Sequence, residues 1–448
     1  MLQTLFHIPH AIGPLPVFGL GWALIVWLLI CATWLVMMLA RGEKASDIQS
    51  SLLLMGMVAL ALAFVLPRIE EQAIDPTNPA IQVPVGVPIR GYGTLLLVAI
   101  VAGVGLAAYR ARRMGLDPEI ILSLAFWMLF SGIFGARLFF VIQKWDQFLR
   151  PTIQETLFAL FDFVGGGLVV FGSAIGALAA LVVFCRVRKL PTLAIADLVA
   201  PSMMVGLAIG RIGCLMNGCC YGGVCEIPQL ALQFPPEAPA YQDQLVSGML
   251  FGFHLKAEKQ PDSDREQVVV DWVQPGSAAE REGLKVGDRI AGILGSGVDS
   301  LQSAQQVLVE MPRYLVQNSN NAEPQDFSLI RADGTVVAWP IASVPPRSLP
   351  IHPTQIYSSI DAALLALLLW YFYPFRRRDG EVVALMLTLH PISRFWLEVI
   401  RTDEDGALGT PFTISQLVGF LFLAAAVALW IWIERQPRGS ALPIQRPA

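Results

Sequence analysis

Charged side chains are scarce in this sequence. Asp, Glu, Lys and Arg make up only 15% of the 448 residues, whereas about a quarter of a soluble domain is charged. Hydrophobic residues reach 55%, more than a water-soluble core could bury beneath a polar surface. We therefore expect an integral membrane protein. The net charge of −4 is small and by itself indicates nothing about nucleic acid. We expect no nucleic-acid partner.

Several catalytic signatures are also absent. None of the five histidines is followed by Glu, so the H-E-x-x-H helix of metalloproteases is missing. The sequence has neither the G-x-S-x-G elbow of serine hydrolases nor a nucleotide-binding P-loop. We expect no cofactor and no metal ion.

The six cysteines lack the paired C-x2-C spacing that is typical of zinc sites. We favour a packing role for the four that cluster at the end of one apolar run. A disulfide, such as one between Cys220 and Cys225, and a metal site are the alternatives that remain. The clustered residues are Cys214, Cys219, Cys220 and Cys225.

Nine apolar runs approach the roughly 20 residues that a membrane helix needs. The first lacks the basic start and the A-x-A-like site of a signal peptide, so we expect it to be retained. The second is short, and the eighth carries Arg394 and Glu398. The runs are residues 17–40, 51–67, 92–109, 119–142, 166–185, 193–216, 356–374, 381–400 and 412–433.

Lysine and arginine residues are concentrated in every second loop between the apolar runs. The segments after the first, third, fifth, seventh and ninth runs hold most of them, and the opposite short loops hold few. Because basic residues are retained on the cytoplasmic side, we expect the N-terminus and residues 217–355 outside the cytoplasm. The C-terminus is then cytoplasmic.

Residues 246–344 differ in character from the rest of the chain. Charge rises, strand-like runs appear, and an Asp333-Gly334 pair indicates a β-hairpin. The order of strands, small-residue helix and the GLKVGDRI run at 283–290 resembles a PDZ domain, a small α/β fold. Such domains add a peptide to a sheet edge and hold its carboxylate on backbone N–H groups. Residues Phe251, Gly252 and Phe253 are the candidate carboxylate loop.

Three arginines lie inside the apolar runs: Arg137, Arg211 and Arg394. A charge at membrane depth is costly, and it therefore marks a candidate functional site. Arg394 and Glu398 are four residues apart and share one helix face. Four motifs surround these and other polar residues: Ile89–Gly93, Gly210–Gly223, His352–Tyr357 and Arg394–Arg401.

The four motifs, in this order, resemble those of the prolipoprotein diacylglyceryl transferase family, over residues 82–245 and 348–435. The resemblance implies seven membrane helices in a bacterial cell inner membrane. It also implies transfer of a diacylglyceryl group from phosphatidylglycerol to the lipobox cysteine thiol of a preprolipoprotein signal peptide. The products are a thioether and glycerol 1-phosphate.

The resemblance also implies roles for individual residues. Arg211, Arg394, His352 and Tyr92 match catalytic positions of the family. Six further residues match positions expected to bind phosphatidylglycerol. These are Arg137, Asn217, Gly222, Gln355, Tyr357 and Glu398.

The sequence departs from the family pattern at four positions: Phe171, Cys214, Cys219 and Ser358. Phe171 stands where a histidine is proposed as a base, and a phenyl ring cannot accept a proton. We therefore expect catalysis by positioning and by stabilisation of the leaving phosphate, with His352 or Tyr92 as the alternative base. A catalytically degenerate scaffold that binds peptides through the PDZ-like domain is the other hypothesis.

These inferences predict an all-α polytopic membrane protein of about nine membrane helices, seven of them transferase-like, with a PDZ-like α/β insert. The predicted divisions are a two-helix extension, the first part of the core, the insert and the second part of the core. Their bounds are residues 1–81, 82–245, 246–344 and 345–448.

Overall fold

The protein is described by a computed structural model that divides into two compact units, Met1–Thr94 and Leu95–Ala448. The described residues are 3–42, 52, 55–56, 58–74, 82–148, 152–160, 167, 169–259, 266–318, 325–341, 344–401, 406 and 409–442.

The principal helices are numbered in chain order. Short helical turns and four-residue helices remain unnumbered. The helices are α1 (Trp22–Ala40), α2 (Gly91–Arg113), α3 (Pro118–Gln143), α4 (Ile153–Leu160), α5 (Val170–Val187), α6 (Thr192–Asn217), α7 (Pro239–Val246), α8 (Leu301–Asn318), α9 (Thr354–Phe372), α10 (Glu381–Ile400) and α11 (Ile414–Glu434).

Eight strands carry the two larger sheets. The first three belong to the N-terminal unit, and the other five belong to the region of the predicted insert. They are β1 (Thr4–Pro9), β2 (Glu71–Ile74), β3 (Gln82–Arg90), β4 (Phe253–Lys259), β5 (Glu266–Val273), β6 (Arg289–Ile293), β7 (Gln325–Arg331) and β8 (Val336–Ile341).

Seven of the nine predicted spans coincide with helices that are long and apolar enough to cross a membrane: α1, α2, α3, α6, α9, α10 and α11. The second and fifth predicted spans correspond to shorter apolar helices, Val58–Ile69 and Phe171–Val187. The chain is therefore a multi-pass membrane protein, and the number nine stays a prediction.

The N-terminal unit contains a sheet that the sequence analysis did not predict. Strand β3 lies between β1 and β2, and both pairs are antiparallel. Val83, Val85 and Val87 alternate along β3 as strand residues do. Two prolines in the same run argue against a central strand, which obscured this signal. Because β3 pairs with β1 and β2, the unit extends to Thr94, past the predicted division at residue 81.

Glycines allow close helix packing in the second unit. A Cβ atom on Gly172 would lie 2.3 Å from the carbonyl oxygen of Gly135, and one on Gly176 would lie 2.2 Å from that of Ser131. Larger residues at these positions would push α3 and α5 apart. Such small-residue contacts are typical of membrane helix pairs.

Strands β4 to β8 form an antiparallel sheet in the order β8-β7-β6-β5-β4, to which the short Ser296–Gly297 strand adds beside β6. Its core includes buried Phe253, Phe327 and Trp339. Tyr241 and Leu245 of α7 belong to the same core. The core of this sheet thus includes side chains that precede residue 246, the predicted start of the insert. The two segments that flank the sheet in the chain meet at a neck, where Phe234 and Ser348 exchange two hydrogen bonds.

Candidate active site

Helix α10 carries the charged centre of the site. Arg394 Nη2 lies 2.6 Å from Glu398 Oε2, and Arg401 Nη1 lies 3.3 Å from the same oxygen. Glu398 is only 2% exposed, and Thr413 Oγ1 donates to its other oxygen at 3.4 Å. One buried carboxylate therefore holds two guanidinium groups in fixed positions.

Arg211 lies on the last turns of α6 and is half-buried. It interacts electrostatically with Arg394, and both arginines interact with His390. Arg394 Nη1 is buried and has no hydrogen-bond partner among the described residues. Three arginines and one neutralising carboxylate leave a net positive site with a donor unused, which suits a phosphate.

The loop after α6 brings three of the predicted motifs together. Helix α6 ends at Gly218, which has a left-handed backbone with φ of 78°. Gly222 N donates to His352 O, and Gly223 N donates to Ile400 O, both at 3.0 Å. The loop is thus fastened both to the His-Pro motif and to the end of α10.

The start of α9 holds the same loop through side chains. Thr354 Oγ1 donates to Cys220 O and Gln355 Nε2 donates to Cys219 O, each at 2.7 Å. Gln355 Oε1 is buried and lacks a partner within the described part of the chain. His352 Nδ1 lies 3.4 Å from Tyr357 Oη, at the limit of a hydrogen bond. Asn217 is the last residue of α6.

Close packing explains the glycine at position 222. A Cβ atom there would lie 2.8 Å from His352 Cβ and 2.9 Å from Thr354 Cγ2. Both distances are shorter than van der Waals contact. Gly222 therefore lets the loop and the start of α9 approach each other.

Three cysteine thiols meet beside the arginines. The Sγ atoms of Cys214, Cys219 and Cys220 all lie within 4.8 Å of one another, and all six cysteines of the chain are free. Hydrogen bonds from Cys214 and Cys219 lower the pKa of the Cys220 thiol, and the charges of Arg211 and Arg401 add to this effect. Cys225 lies apart, and its thiol donates to Ile227 O.

Arg137 lies elsewhere in the second unit and has other partners. Its guanidinium donates to the carbonyls of Ala159, Leu160 and Gly167 at 2.7 to 3.3 Å. It thereby caps the end of α4. Phe171, which stands at the family's histidine position, is half-buried near the start of α5.

Tyr92 is assigned to the N-terminal unit, at the first turn of α2, and is 40% exposed. The predicted carboxylate loop lies at the start of the predicted insert. The N–H groups of Phe251, Gly252 and Phe253 donate to the carbonyls of Gly248, Met249 and Gly248, respectively. A peptide carboxylate would have to displace these bonds.

Two residues of the site were not among the predicted ones. Arg401 ends the Arg394–Arg401 motif without a predicted role, although its spacing of three residues from Glu398 is an ion-pair signal. His390 precedes Arg394 by one helical turn, and its buried Nδ1 has no partner among the described residues. Its position at i−4 from Arg394 was the available signal.

Known proteins match the part of the chain that contains these motifs. Residues 79–432 match the profile of the family described as prolipoprotein diacylglyceryl transferase. A phosphatidylglycerol–prolipoprotein diacylglyceryl transferase of Rhodopirellula baltica is 36% identical over 95% of this chain and 88% of its own length.

Two further relatives with the same printed name match over a shorter segment. The protein of Trichormus variabilis is 32% identical over 32% of this chain, and that of Listeria innocua is 35% identical over 33%. The matched segment spans 49% and 50% of those two proteins, respectively. The R. baltica alignment extends across the region of the predicted insert.

Proposed function

The chain belongs to the prolipoprotein diacylglyceryl transferase family, and we infer from this that it transfers a diacylglyceryl group from phosphatidylglycerol to a preprolipoprotein cysteine. In this reaction the thiol sulfur forms a bond to the terminal glyceryl carbon of the diacylglyceryl group. The bond from that carbon to the phosphate oxygen breaks. Glycerol 1-phosphate leaves with the electron pair, and the thiol proton is released.

The observation that carries this proposal is the arginine group around Glu398. Arg211 and Arg394 hold the lipid phosphate, with Arg394 Nη1 as a donor that the described protein leaves unused. Charge builds on the leaving phosphate as the carbon–oxygen bond breaks. The Arg394 guanidinium, which Glu398 already fixes in place, stabilises that charge without reorganisation.

The other residues of the site have supporting roles in this proposal. Gln355 and Gly222 fix the loop after α6, and Asn217 ends the helix that carries Arg211. His352 and Tyr357 border the phosphoglycerol headgroup, and Tyr92 keeps the catalytic role that the family motif implies. Arg137 supports the segment after α3 by capping its carbonyls.

We propose that the site faces the outer leaflet of a bacterial inner membrane. The distribution of basic residues supports this orientation, with the N-terminus and residues 217–355 outside and the C-terminus in the cytoplasm. A lipid substrate then enters sideways from the bilayer, and the preprolipoprotein arrives from the same leaflet.

We further propose that the insert is a PDZ-like module that orients the preprolipoprotein. Its edge strand β4 is the strand to which a peptide would add. Leu255 N of this strand donates to Ser247 O at 3.0 Å, so the chain itself covers part of the edge. Peptide capture there requires this contact to open.

The test is an in vitro assay with labelled phosphatidylglycerol and a lipobox peptide. We expect Arg211→Ala and Arg394→Ala each to lower kcat/KM by about 10²–10³, the usual effect of removing one preorganised donor. Arg347→Ala, an exposed arginine on the neck side, is the matched control and should keep its activity. Unchanged transfer by both site variants would refute the proposal. An inactive wild-type protein that still binds C-terminal peptides would favour the scaffold hypothesis.

A further inference from the structure

Cys214, Cys219 and Cys220 form a cysteine group at the end of α6. Their sulfur atoms are close enough together to bind one metal ion. Zinc–sulfur bonds of about 2.3 Å place the sulfurs of a tetrahedral site about 3.8 Å apart. The three sulfurs already lie within 4.8 Å of one another. Small rotations of the thiol side chains therefore suffice to close them around one ion.

The backbone around these thiols is firmly held. Cys220 has a left-handed backbone with φ of 57°, a conformation that L-residues adopt only when their surroundings enforce it. The carbonyls of Cys219 and Cys220 accept hydrogen bonds from Gln355 and Thr354. These hydrogen bonds hold the backbone that positions the thiols.

The charges nearby are consistent with a bound cation. Three thiolates carry more negative charge than a divalent ion neutralises, and Arg211 and Arg401 both act on Cys220. The group also lies at the carboxyl end of α6, where the helix dipole favours positive charge.

We propose that Cys214, Cys219 and Cys220 bind a thiophilic divalent cation of the Zn²⁺ type, whose open position takes the sulfur of the acceptor cysteine. This inference rests on the proposed function, because the acceptor in that reaction is a thiol. Catalytic zinc sites commonly have three protein ligands and one open position. A thiol that coordinates zinc loses its proton. The metal thereby replaces the base that Phe171 cannot provide.

In the proposed step one bond forms and one bond breaks. The acceptor thiol binds the ion and releases its proton to water. Its sulfur then attacks the glyceryl carbon, the carbon–oxygen bond to phosphate breaks, and the phosphate leaves against the arginines. Arg394 also interacts with Cys220, so the thiols and the phosphate-binding group border the same space.

The test uses the full-length protein, purified in detergent with its thiols reduced and its metal removed. With Zn²⁺ or Co²⁺ added alone, we expect one ion per chain and cobalt–thiolate charge-transfer absorption. Cys214→Ser, Cys219→Ser and Cys220→Ser should each weaken binding at least tenfold, whereas Cys225→Ser is the matched control. A lipobox peptide should change the Co²⁺ spectrum, and the same peptide with Ser in place of its cysteine should not.

The possible results distinguish a failure of the metal site from a failure of the proposed transferase function. Failure of the reduced wild-type protein to bind stoichiometric Zn²⁺ overturns the site, and so does a disulfide that leaves two fewer thiols per chain. Transfer that is undiminished after metal removal overturns the role in thiol activation and leaves the family activity intact. Metal binding without any transfer, with or without Zn²⁺, overturns the proposed function and leaves the ion site standing.

Discussion

At the scale of single residues, Glu398 determines where two arginines point. We predict that Glu398→Gln lowers kcat/KM by about 10²-fold or more, because Arg394 and Arg401 lose their shared anion and their fixed geometry. Removing one partner of a buried ion pair also costs about 3–5 kcal/mol of stability. Transfer kinetics and thermal unfolding in the same detergent measure the two effects.

The control for this variant is Glu226→Gln, which changes an exposed carboxylate in the loop beyond the site. It should alter neither measurement. If Glu398→Gln keeps full activity, the arginines do not depend on this carboxylate for their positions.

Gly222 supports a second prediction at this scale. Gly222→Ala places a methyl group 2.8 Å from His352 Cβ, and relieving this overlap costs about 1–3 kcal/mol of packing energy. We expect a clear fall in kcat/KM as the loop moves away from α9. Gly210→Ala is the matched control on α6, because nothing lies within 4 Å of its added Cβ. Equal activities of the two variants would show that the loop tolerates the shift.

The sequence indicated Arg211, Arg394 and Glu398 because charges inside apolar runs are rare and stand out. The same signal does not identify Arg401 and His390 as residues of the site. Arg401 lies just past the end of its run, where an arginine is ordinary, and its burial depends on Glu398 and on the loop from α6. The convergence of Cys214, Cys219 and Cys220 depends on the left-handed turn at Gly218 and Cys220, which cysteine spacing alone does not reveal.

At the scale of elements, the start of α10 depends on a side chain from α6. Gly380 N and Val383 N donate to the two oxygens of Asp197, at 2.7 and 2.9 Å. The Nε atom of buried Arg376 lies 3.8 Å from the same carboxylate. One carboxylate thus ties together the two helices that carry Arg211 and Arg394.

We predict that Asp197→Ala destabilises the protein by about 3–5 kcal/mol, because it leaves the helix N–H groups and Arg376 without their anion. Asp117→Ala removes an exposed cap at the start of α3 and should cost only about 1 kcal/mol. The thermal unfolding midpoints of the two variants in one detergent give the comparison. A similar loss in both would mean that Asp197 acts only as an ordinary helix cap.

Long apolar helices were predictable because hydropathy over about 20 residues is a strong signal. The sheet of β1, β2 and β3 was not, since prolines interrupt its central strand and its partners lie far apart in the sequence. Helix α5 is shorter than its predicted span because regular helix begins only at Val170. The strands of the insert were visible from alternating apolar residues and the Asp-Gly turn, which involve only local pairing.

At the scale of the whole molecule, the segments that flank the predicted insert meet at the neck. Leu232 and Ile351 form a β-bridge there, next to the paired Phe234 and Ser348. The boundaries inferred from sequence, 246–344, cut between α7 and the core to which its Tyr241 and Leu245 belong. A deletion at those boundaries would expose apolar side chains, so a clean excision must follow the neck.

We predict that replacing residues 236–346 by a short Gly/Ser linker leaves transfer to a short lipobox peptide close to that of the parent protein. The replacement removes two hydrogen bonds of the loop after α6, from Ala240 N to Gly218 O and from Tyr221 Oη to Asp243. The bonds that fasten this loop to the start of α9 and to the end of α10 lie outside the replaced segment and continue to support the arginine group. Transfer to full-length preprolipoproteins should fall about tenfold or more in kcat/KM, because the insert no longer raises their effective concentration at the site. Equal losses for both substrates would instead assign the insert a role in stabilising the core. Undiminished transfer to both would exclude substrate orientation by the insert.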